Sequence, residues 1–338
     1  MNLTHIGTQE IETDRLILRK FTISDTELVF HNWSKDEDVC KYLSWNPHFS
    51  INHTKNIISN WLECYQKLNC YNWVISLKKS KELIGTILIT DIWESTRCVE
   101  IAYCIGKKYW NKGYATEALK AVSHFMFIDV NVNRIQAKHD IENIASGCVL
   151  NKAEMVHEGI LRKNIIINGQ LRDCCIYSLL KQDLFKAPAN IYYDNMKNIK
   201  GNNIELVCKR MLHAVPEKDY VTNYLYDIRI LNGRDSIGKL NFKVGFNHKV
   251  YYSGHIGYQI YQAFRGKSYS AEACKLIKKI AKQLGFNKLL ITNNPNNIAS
   301  RKICDKIGAV LIRVAKLPPN HQLYKVGERY TCIYQWQL

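Results

Sequence analysis

The sequence predicts an α+β fold made twice over: two tandem domains, each a central mixed, mainly antiparallel sheet flanked by helices. Three observations predict it. Tyr103 and Glu117 recur as Tyr258 and Glu272, each 155 positions on, and Asn143 and Ser146 recur as Asn297 and Ser300, 154 on. That spacing is too long for a solenoid unit and suits a domain. Each copy runs strand, basic turn, helix, and then a second turn carrying Asn and Ser. The length of 338 residues is enough for two separate cores. The expected division is an N-terminal domain over 1–186, a linker over 187–199 and a C-terminal domain over 200–338.

In the first copy, residues 12–19 alternate and predict a strand. Ser24-Asp25 then caps a helix carrying Leu28, Val29 and Phe30. A second helix is expected over 54–68, with Ile57, Ile58, Trp61, Leu62 and Tyr65 on one face. Residues 72–79 and 83–91 read as a hairpin, and 97–106 as the next strand. A helix over 113–130 places Ala115, Leu119, Val122 and Phe125 in the core. A strand over 134–139, a short helix over 143–152 and strands over 155–161 and 174–180 complete the unit. The second copy starts at Ile204 and has strands expected over 228–231, 238–245 and 254–260. A helix over 271–284, a strand over 289–292, a helix over 299–306 and strands over 310–314 and 330–336 follow.

Hydrophobic content of 46% and charged content of 23% fit a soluble globular chain. No stretch nears the roughly 18 apolar residues of a membrane span, and the N-terminus lacks the basic start and apolar run of a signal peptide. Twelve cysteines form no Cys-x-x-Cys, and Cys174-Cys175 are neighbours. Cys98, Cys104, Cys148, Cys208 and Cys332 lie in apolar segments and read as small buried hydrophobes. A reduced, cytoplasmic setting with no metal site is expected. The net charge of +17 has two readings: Lys and Asn bias spread over solvated faces, or an anionic partner such as a polyphosphate cofactor, an acidic peptide or RNA. Charge alone does not choose, although no dense Lys/Arg tract or aromatic RNA-binding pattern is present.

The turn Trp110-Asn111-Lys112-Gly113-Tyr114-Ala115 joins a strand to a helix and suits an anion, although basic strand–helix turns are also common as plain structure. Unpaired N–H groups at a helix start point outward, and the helix dipole favours an anion there. Gly113 lets backbone approach a phosphate, and Lys112 adds charge. The wider pattern is more specific. Glu100-Ile-Ala-Tyr103 precedes the turn, Thr116-Glu117-Ala118 follows it, Thr13, Arg15, Leu16, Leu18 and Arg19 open the copy, and Asp173, Tyr177 and Ser178 close it. With Asn143 and Ser146, this resembles the GNAT family of acetyl-CoA-dependent N-acetyltransferases over essentially the whole chain. The first copy is similar to the branch that acetylates ribosomal-protein N-termini. Trp110 stands where the family loop has Gln or Arg. The second copy keeps Arg265 there, but Ser268 and Ser270 replace the loop's Gly and its Gly or Ala.

The resemblance implies acetyl-CoA held in copy one by strand residues Tyr103, Cys104 and Ile105, by loop residues Trp110, Asn111, Lys112, Gly113, Tyr114, Ala115 and Thr116, and by Asn143 and Ser146. In copy two it implies Tyr258 and Ile260, then Arg265, Gly266, Lys267, Ser268, Tyr269 and Ser270, then Asn297 and Ser300. It also implies direct attack of an amine on the thioester through a tetrahedral intermediate, with an oxyanion donor near residues 104–106. Glu100 is the candidate base in copy one and His255 in copy two; each also reads as a structural strand residue. Where many members have an acidic Tyr, this chain has Leu150 and Cys304, leaving Ser146 and Tyr177 as substitutes or as packing residues. Glu117 and Glu272 are expected to act structurally near a helix start.

Three function classes remain open at this point: an acetyltransferase acting on a polypeptide N-terminus, a small amine or an aminoglycoside-type drug; an acyl-CoA sensor or scaffold with one or both copies inactive; and a nucleic-acid- or ribosome-associated protein. Asp36, Glu37 and Asp38 are candidates for the acceptor pocket, and Trp33, Tyr42, Trp45 and Trp93 read equally as its lining or as core. The two copies are expected to pair within one chain as a pseudo-dimer, leaving it monomeric.

Overall fold

A computed structural model describes residues 2–184 and 196–338. The chain divides into two compact units, Met1–Leu184 and Phe185–Leu338. Residues 187–195 of the expected linker lie outside the described residues; by Asn198 the chain is already strand.

Unit 1 opens with β1 (Ile11–Glu12) and β2 (Leu16–Arg19). The chain then leaves the sheet for α1 (Thr26–Val29), which runs on into a wider π turn over Phe30–Ser34, then α2 (Glu37–Cys40) and α3 (Ile51–Cys64). It returns as β3 (Asn72–Leu77), β4 (Leu83–Trp93) and β5 (Cys98–Ile105), followed by α4 (Tyr114–Ile128), β6 (Arg134–Asp140), α5 (Ile144–Lys152), β7 (Val156–Ile167) and β8 (Gln170–Leu180). The sheet order is β7-β8-β6-β5-β4-β3-β2-β1, antiparallel throughout except where β5 meets β6. α4 covers one face, with Phe125 edge-on to Trp73 at 5.7 Å. On the other face Phe21, Val29, Trp33, Val39 and Ile58 pack on Val74, Leu83 and Cys104. Each such buried side chain contributes about 2 kcal/mol of transfer free energy.

Unit 2 repeats the plan as β9 (Asn198–Lys200), β10 (Ile204–Leu212), β11 (Thr222–Ile230), β12 (Ser236–Val244), α6 (His248–Ser253), β13 (Ile256–Ile260), α7 (Tyr269–Gln283), β14 (Lys288–Asn293), α8 (Ile298–Ile307), β15 (Val310–Lys316), α9 (Gln322–Lys325) and β16 (Tyr330–Gln337). Its order, β15-β16-β14-β13-β12-β11-β10-β9, again has one parallel pair, β13 with β14. α7 seals one face with Ala273, Leu276, Ile277 and Ile280 against Leu206, Tyr226 and Leu240.

Several expectations need correction. α3 starts at Ile51, not 54, because Ser50 Oγ caps it by accepting from His53 N. The first helix turns on Asp25, but through a capping box with Thr22 rather than a Ser24 cap, and Leu28 stays exposed. Ala115 is only half-buried; α4 is buried from Ala118 on. Cys148 is exposed and Cys208 half-buried, whereas Cys98, Cys104 and Cys332 are buried; all twelve thiols are free. β7 and β8 form a longer hairpin than expected, and α6 and β9 were not anticipated.

Candidate functional site

The parallel pair in unit 1 opens into a wedge. Cys98, Val99 and Glu100 pair with Arg134, Ile135 and Gln136, and the ladder then stops, while β5 keeps pairing with β4 as far as Ile105. Gly106 N donates to Ile84 O on the β4 side. Antiparallel alternation therefore turns the backbone groups of Ile101, Tyr103 and Ile105 toward the open side. The far lip is α5. Asn143 Oδ1 caps it by accepting from Ser146 N at 3.2 Å, and the Ser146 hydroxyl lies 2.9 Å from the Tyr103 hydroxyl. Unit 2 repeats this: β13 and β14 pair only at Ile256 and Ile291, Asn297 Oδ1 accepts from Ser300 N at 3.1 Å, and Tyr258 OH lies 3.0 Å from Ser300 Oγ. Asn143 and Asn297 are thus helix caps, and Tyr103 and Tyr258 strap strand to helix.

The loop at the end of each strand is built on two left-handed residues. In unit 1 they are Asn111 (φ 59) and Gly113 (φ 78); in unit 2 they are Gly266 (φ 85) and Ser268 (φ 60). Glycine and non-glycine have exchanged places while the backbone path is kept. Ser268 therefore holds a Cβ in a left-handed conformation, where a side chain is disfavoured, and Gly266 relieves the other position. Gly113 and Ser268 are the N-caps of α4 and α7, so the unpaired first N–H groups of each helix face outward. The loop's first residue plays one part in both units: Trp110 Nε1 donates to Ile105 O at 2.6 Å, and Arg265 Nε donates to Ile260 O at 3.1 Å. This is why a tryptophan can stand where the family pattern has Gln or Arg.

Sequence reasoning missed what clamps the loops. Glu117 takes bonds from Thr13 Oγ1 (2.6 Å), Arg15 N (2.8 Å) and Arg15 Nε (2.7 Å), while Arg15 Nη1 donates to Lys112 O (2.9 Å) and its guanidinium covers the Tyr114 ring. Glu272 does the same in unit 2 through Asn202 N, Asn203 N and Asn203 Nδ2. The signal was the Thr-x-Arg opening of the first copy. In unit 2 Lys306 Nζ adds a bond to Ser268 Oγ at 2.6 Å, bringing charge to the loop where a glycine was lost.

The expected catalytic residues fare differently. Glu100 stands at the wedge apex, held by Gln136 Nε2 (2.8 Å) and Lys138 Nζ (3.0 Å), on the face shared with Cys104. His255 corresponds to it in unit 2 but is fully buried: Nδ1 accepts from Leu290 N at 2.9 Å and the ring meets Phe286 edge-on. Burial, with Lys243 nearby, pulls its pKa down to about 3. This corrects the assignment of His255 as a proton acceptor, because solvent and an incoming amine do not reach it. Tyr177 is packed between His139 and His157, with its hydroxyl near Gly147. It lies beside α5, the helix that carries Ser146. Burial pushes the Cys104 thiol up to about 12, so it offers no thiolate.

The acceptor-side candidates are also partly consumed. Trp33 is core, Tyr42 and Trp45 are half-buried, and Trp93 is exposed. Asp36 caps α2 and Asp38 pairs with Lys107 at 2.5 Å. Among the described residues there is no His, Cys, Asp and Glu group suited to a metal ion, and no helix long and apolar enough to cross a membrane.

The two wedges fit acetyl-CoA on their own geometry: an open strand edge for an amide-bearing arm, and a left-handed loop at a helix N-terminus for a pyrophosphate. The comparisons give the family. The acetyltransferase (GNAT) domain model matches residues 15–156 and again 201–310. The uncharacterized N-acetyltransferase p20 of Bacillus licheniformis is 31% identical over 175 residues, spanning 52% of this chain and 98% of that protein. The uncharacterized N-acetyltransferase YoaA of Bacillus subtilis is 35% identical over 171 residues, 51% of this chain and 96% of that protein. The [ribosomal protein uS5]-alanine N-acetyltransferase of Escherichia coli is 25% identical over 188 residues, 53% and 95%. Each relative therefore corresponds to about half of this chain, which belongs to the GNAT family of acetyl-CoA-dependent N-acetyltransferases and carries the family's domain twice.

Proposed function

We propose that unit 1 acetylates a primary amine at a polypeptide N-terminus, and that unit 2 holds an acyl-CoA without a working proton acceptor. The observation that carries this is the asymmetry at the wedge apex: a carboxylate, Glu100, in one unit and a sealed neutral imidazole, His255, in the other. Bound acetyl-CoA supplies the activated acetyl thioester. The residues of unit 1 do the rest. The outward N–H groups at the start of α4 and the Lys112 side chain take phosphate charge. The Tyr103–Ser146 strap fixes the lip of the wedge. The backbone N–H groups of Tyr103 and Ile105 are the donors available to an oxygen that gains negative charge. Glu100, held by Gln136 and Lys138, accepts the amine's proton directly or through one water.

A polypeptide acceptor is favoured over a polycationic drug because Asp36 and Asp38 are already engaged, by the α2 cap and by Lys107. The named activity of the uS5-alanine relative points the same way.

The test is steady-state acetylation of short peptides with free Ala or Ser N-termini, set beside an aminoglycoside. Glu100→Gln is expected to lower kcat by about 100-fold or more with KM for acetyl-CoA little changed. Full activity in Glu100→Gln would remove it as the base, and turnover of the aminoglycoside alone would overturn the acceptor class.

A further inference from the structure

The two units differ most on one face of the sheet. In unit 1 the row Val74–Thr86–Cys104 across β3, β4 and β5 is buried under Phe21, Val29, Trp33 and Ile58, supplied by residues 20–71. The matching row in unit 2 is Asp227–Lys239–Gln259, across β11, β12 and β13. The next row, Asn72–Leu88–Ala102 in unit 1, becomes Leu225–Asn241–Gly257. The connection that carries three helices in unit 1 is reduced in unit 2 to residues 213–221. The helices are gone, and four of the six positions in these rows are Asp227, Lys239, Gln259 and Asn241, with Leu225 and Gly257 as the other two.

What remains is an open cleft of about 610 Å³ within unit 2, walled by Lys209, Arg210, Asp227, Lys239, Asn241 and Gln259. Lys209, Arg210, Lys239 and Gln259 are exposed. The one carboxylate, Asp227, is already shared, 3.8 Å from both Lys209 Nζ and Arg229 Nη2. The wall is therefore cationic in balance. Gly257 has a specific use: a Cβ there would come within 2.3 Å of Asn241 Oδ1, so the glycine seats the Asn241 amide over the sheet. The Asn241 and Gln259 amides are donor–acceptor groups of the kind that pair with peptide bonds. Four strands at about 4.8 Å spacing make a trough of roughly 15 Å, room for four or five extended residues. The aromatic residues of these strands, Tyr224, Tyr226, Phe242 and Tyr258, belong to or pack against the core on the opposite, α7-covered face, so these strands present no ring for base stacking.

We propose that this face of unit 2 binds an acidic, extended polypeptide segment. The cations meet its carboxylates, the two carboxamides meet its backbone, and the lost helices make the room. The binding is independent of acetyl transfer by either unit.

The test uses the full chain and fluorescence anisotropy with three labelled probes: an N-terminally blocked hexapeptide of alternating Asp and Glu, its Asn/Gln counterpart, and a uridine hexanucleotide. The acidic peptide is expected to bind, the neutral one not. Lys209→Glu with Lys239→Glu is expected to weaken the acidic peptide about tenfold or more, while Lys55→Glu with Lys79→Glu, an equal charge change on unit 1, leaves it unchanged. Asn241→Leu with Gln259→Leu, which alters no charge, is expected to weaken it as well, and acetyl-CoA affinity in every variant reports an intact fold. Equal losses in both charge-reversal pairs, no binding of the acidic peptide, or tighter cleft-dependent binding of the RNA would each overturn the proposal.

Discussion

Glu117 shows what a single side chain contributes here. It is nearly buried and ties the turn before β2 to the first turn of α4, and through Arg15 it reaches the carbonyl of Lys112 in the loop. Replacing Glu117 with Gln removes the charge from three hydrogen bonds and is expected to cost about 1–3 kcal/mol, read as a lower urea midpoint for unit 1. Acetyl-CoA affinity should fall with it, because the loop loses its brace. Unchanged stability and affinity would make the clamp incidental. The role of Glu117 near a helix start was legible in its position; its partners, about a hundred residues away, were not. His255 marks the opposite limit. Its place in the repeat suggested a counterpart to Glu100, but burial depends on Phe246 and Phe286, which no local pattern places beside it.

At the scale of elements, the two loops teach the same point by exchange. Both need a pair of left-handed residues, and each spends its one glycine at a different member of the pair. Gly113→Ala and Gly266→Ala are each expected to destabilise their own unit by about 1 kcal/mol, seen as a shifted denaturation midpoint. Gly266 has no atom within 4 Å of an added Cβ, so its cost is backbone conformation alone; Gly113 also meets Arg15 at 3.4 Å. No shift at Gly266 would contradict the left-handed assignment. The strand–loop–helix order was readable because the periodicities are strong and the repeat reinforces them. α6 escaped because six residues ending at a left-handed Gly254 give too few turns for a helical period, and β9 because three residues give no alternation. The β7–β8 hairpin was cut short because exposed Ile160, Ile166 and Leu171 break the expected polar-outward pattern.

For the whole molecule, the difference between Glu100 in unit 1 and the buried His255 in unit 2 has a pH signature. His255 is held neutral with a pKa near 3, below the ordinary 6.5. The unfolded chain takes up a proton there over a range in which the folded unit does not. Its contribution is therefore complete above about pH 6.5 and declines as pH falls toward 3, with a slope approaching 1.4 kcal/mol per pH unit. The urea stability of unit 2 in wild type should drop by about 2 kcal/mol more than in His255→Gln between pH 7 and pH 5. Parallel pH profiles would show that the imidazole titrates normally. The family and its two copies were legible in the sequence because Tyr103, Glu117, Asn143 and Ser146 recur at nearly constant offset as Tyr258, Glu272, Asn297 and Ser300. The loss of the helical cover in unit 2 was visible only as a shorter lead-in, and its consequence needed the strand register.

Whether both wedges are cofactor sites is decided most directly by calorimetric titration of acetyl-CoA into the full chain and into Gly113→Trp and Ser268→Trp. Two sites in wild type, one abolished by each substitution, is the expected result. Absence of binding, or a stoichiometry that Gly113→Trp leaves unchanged, would contradict it.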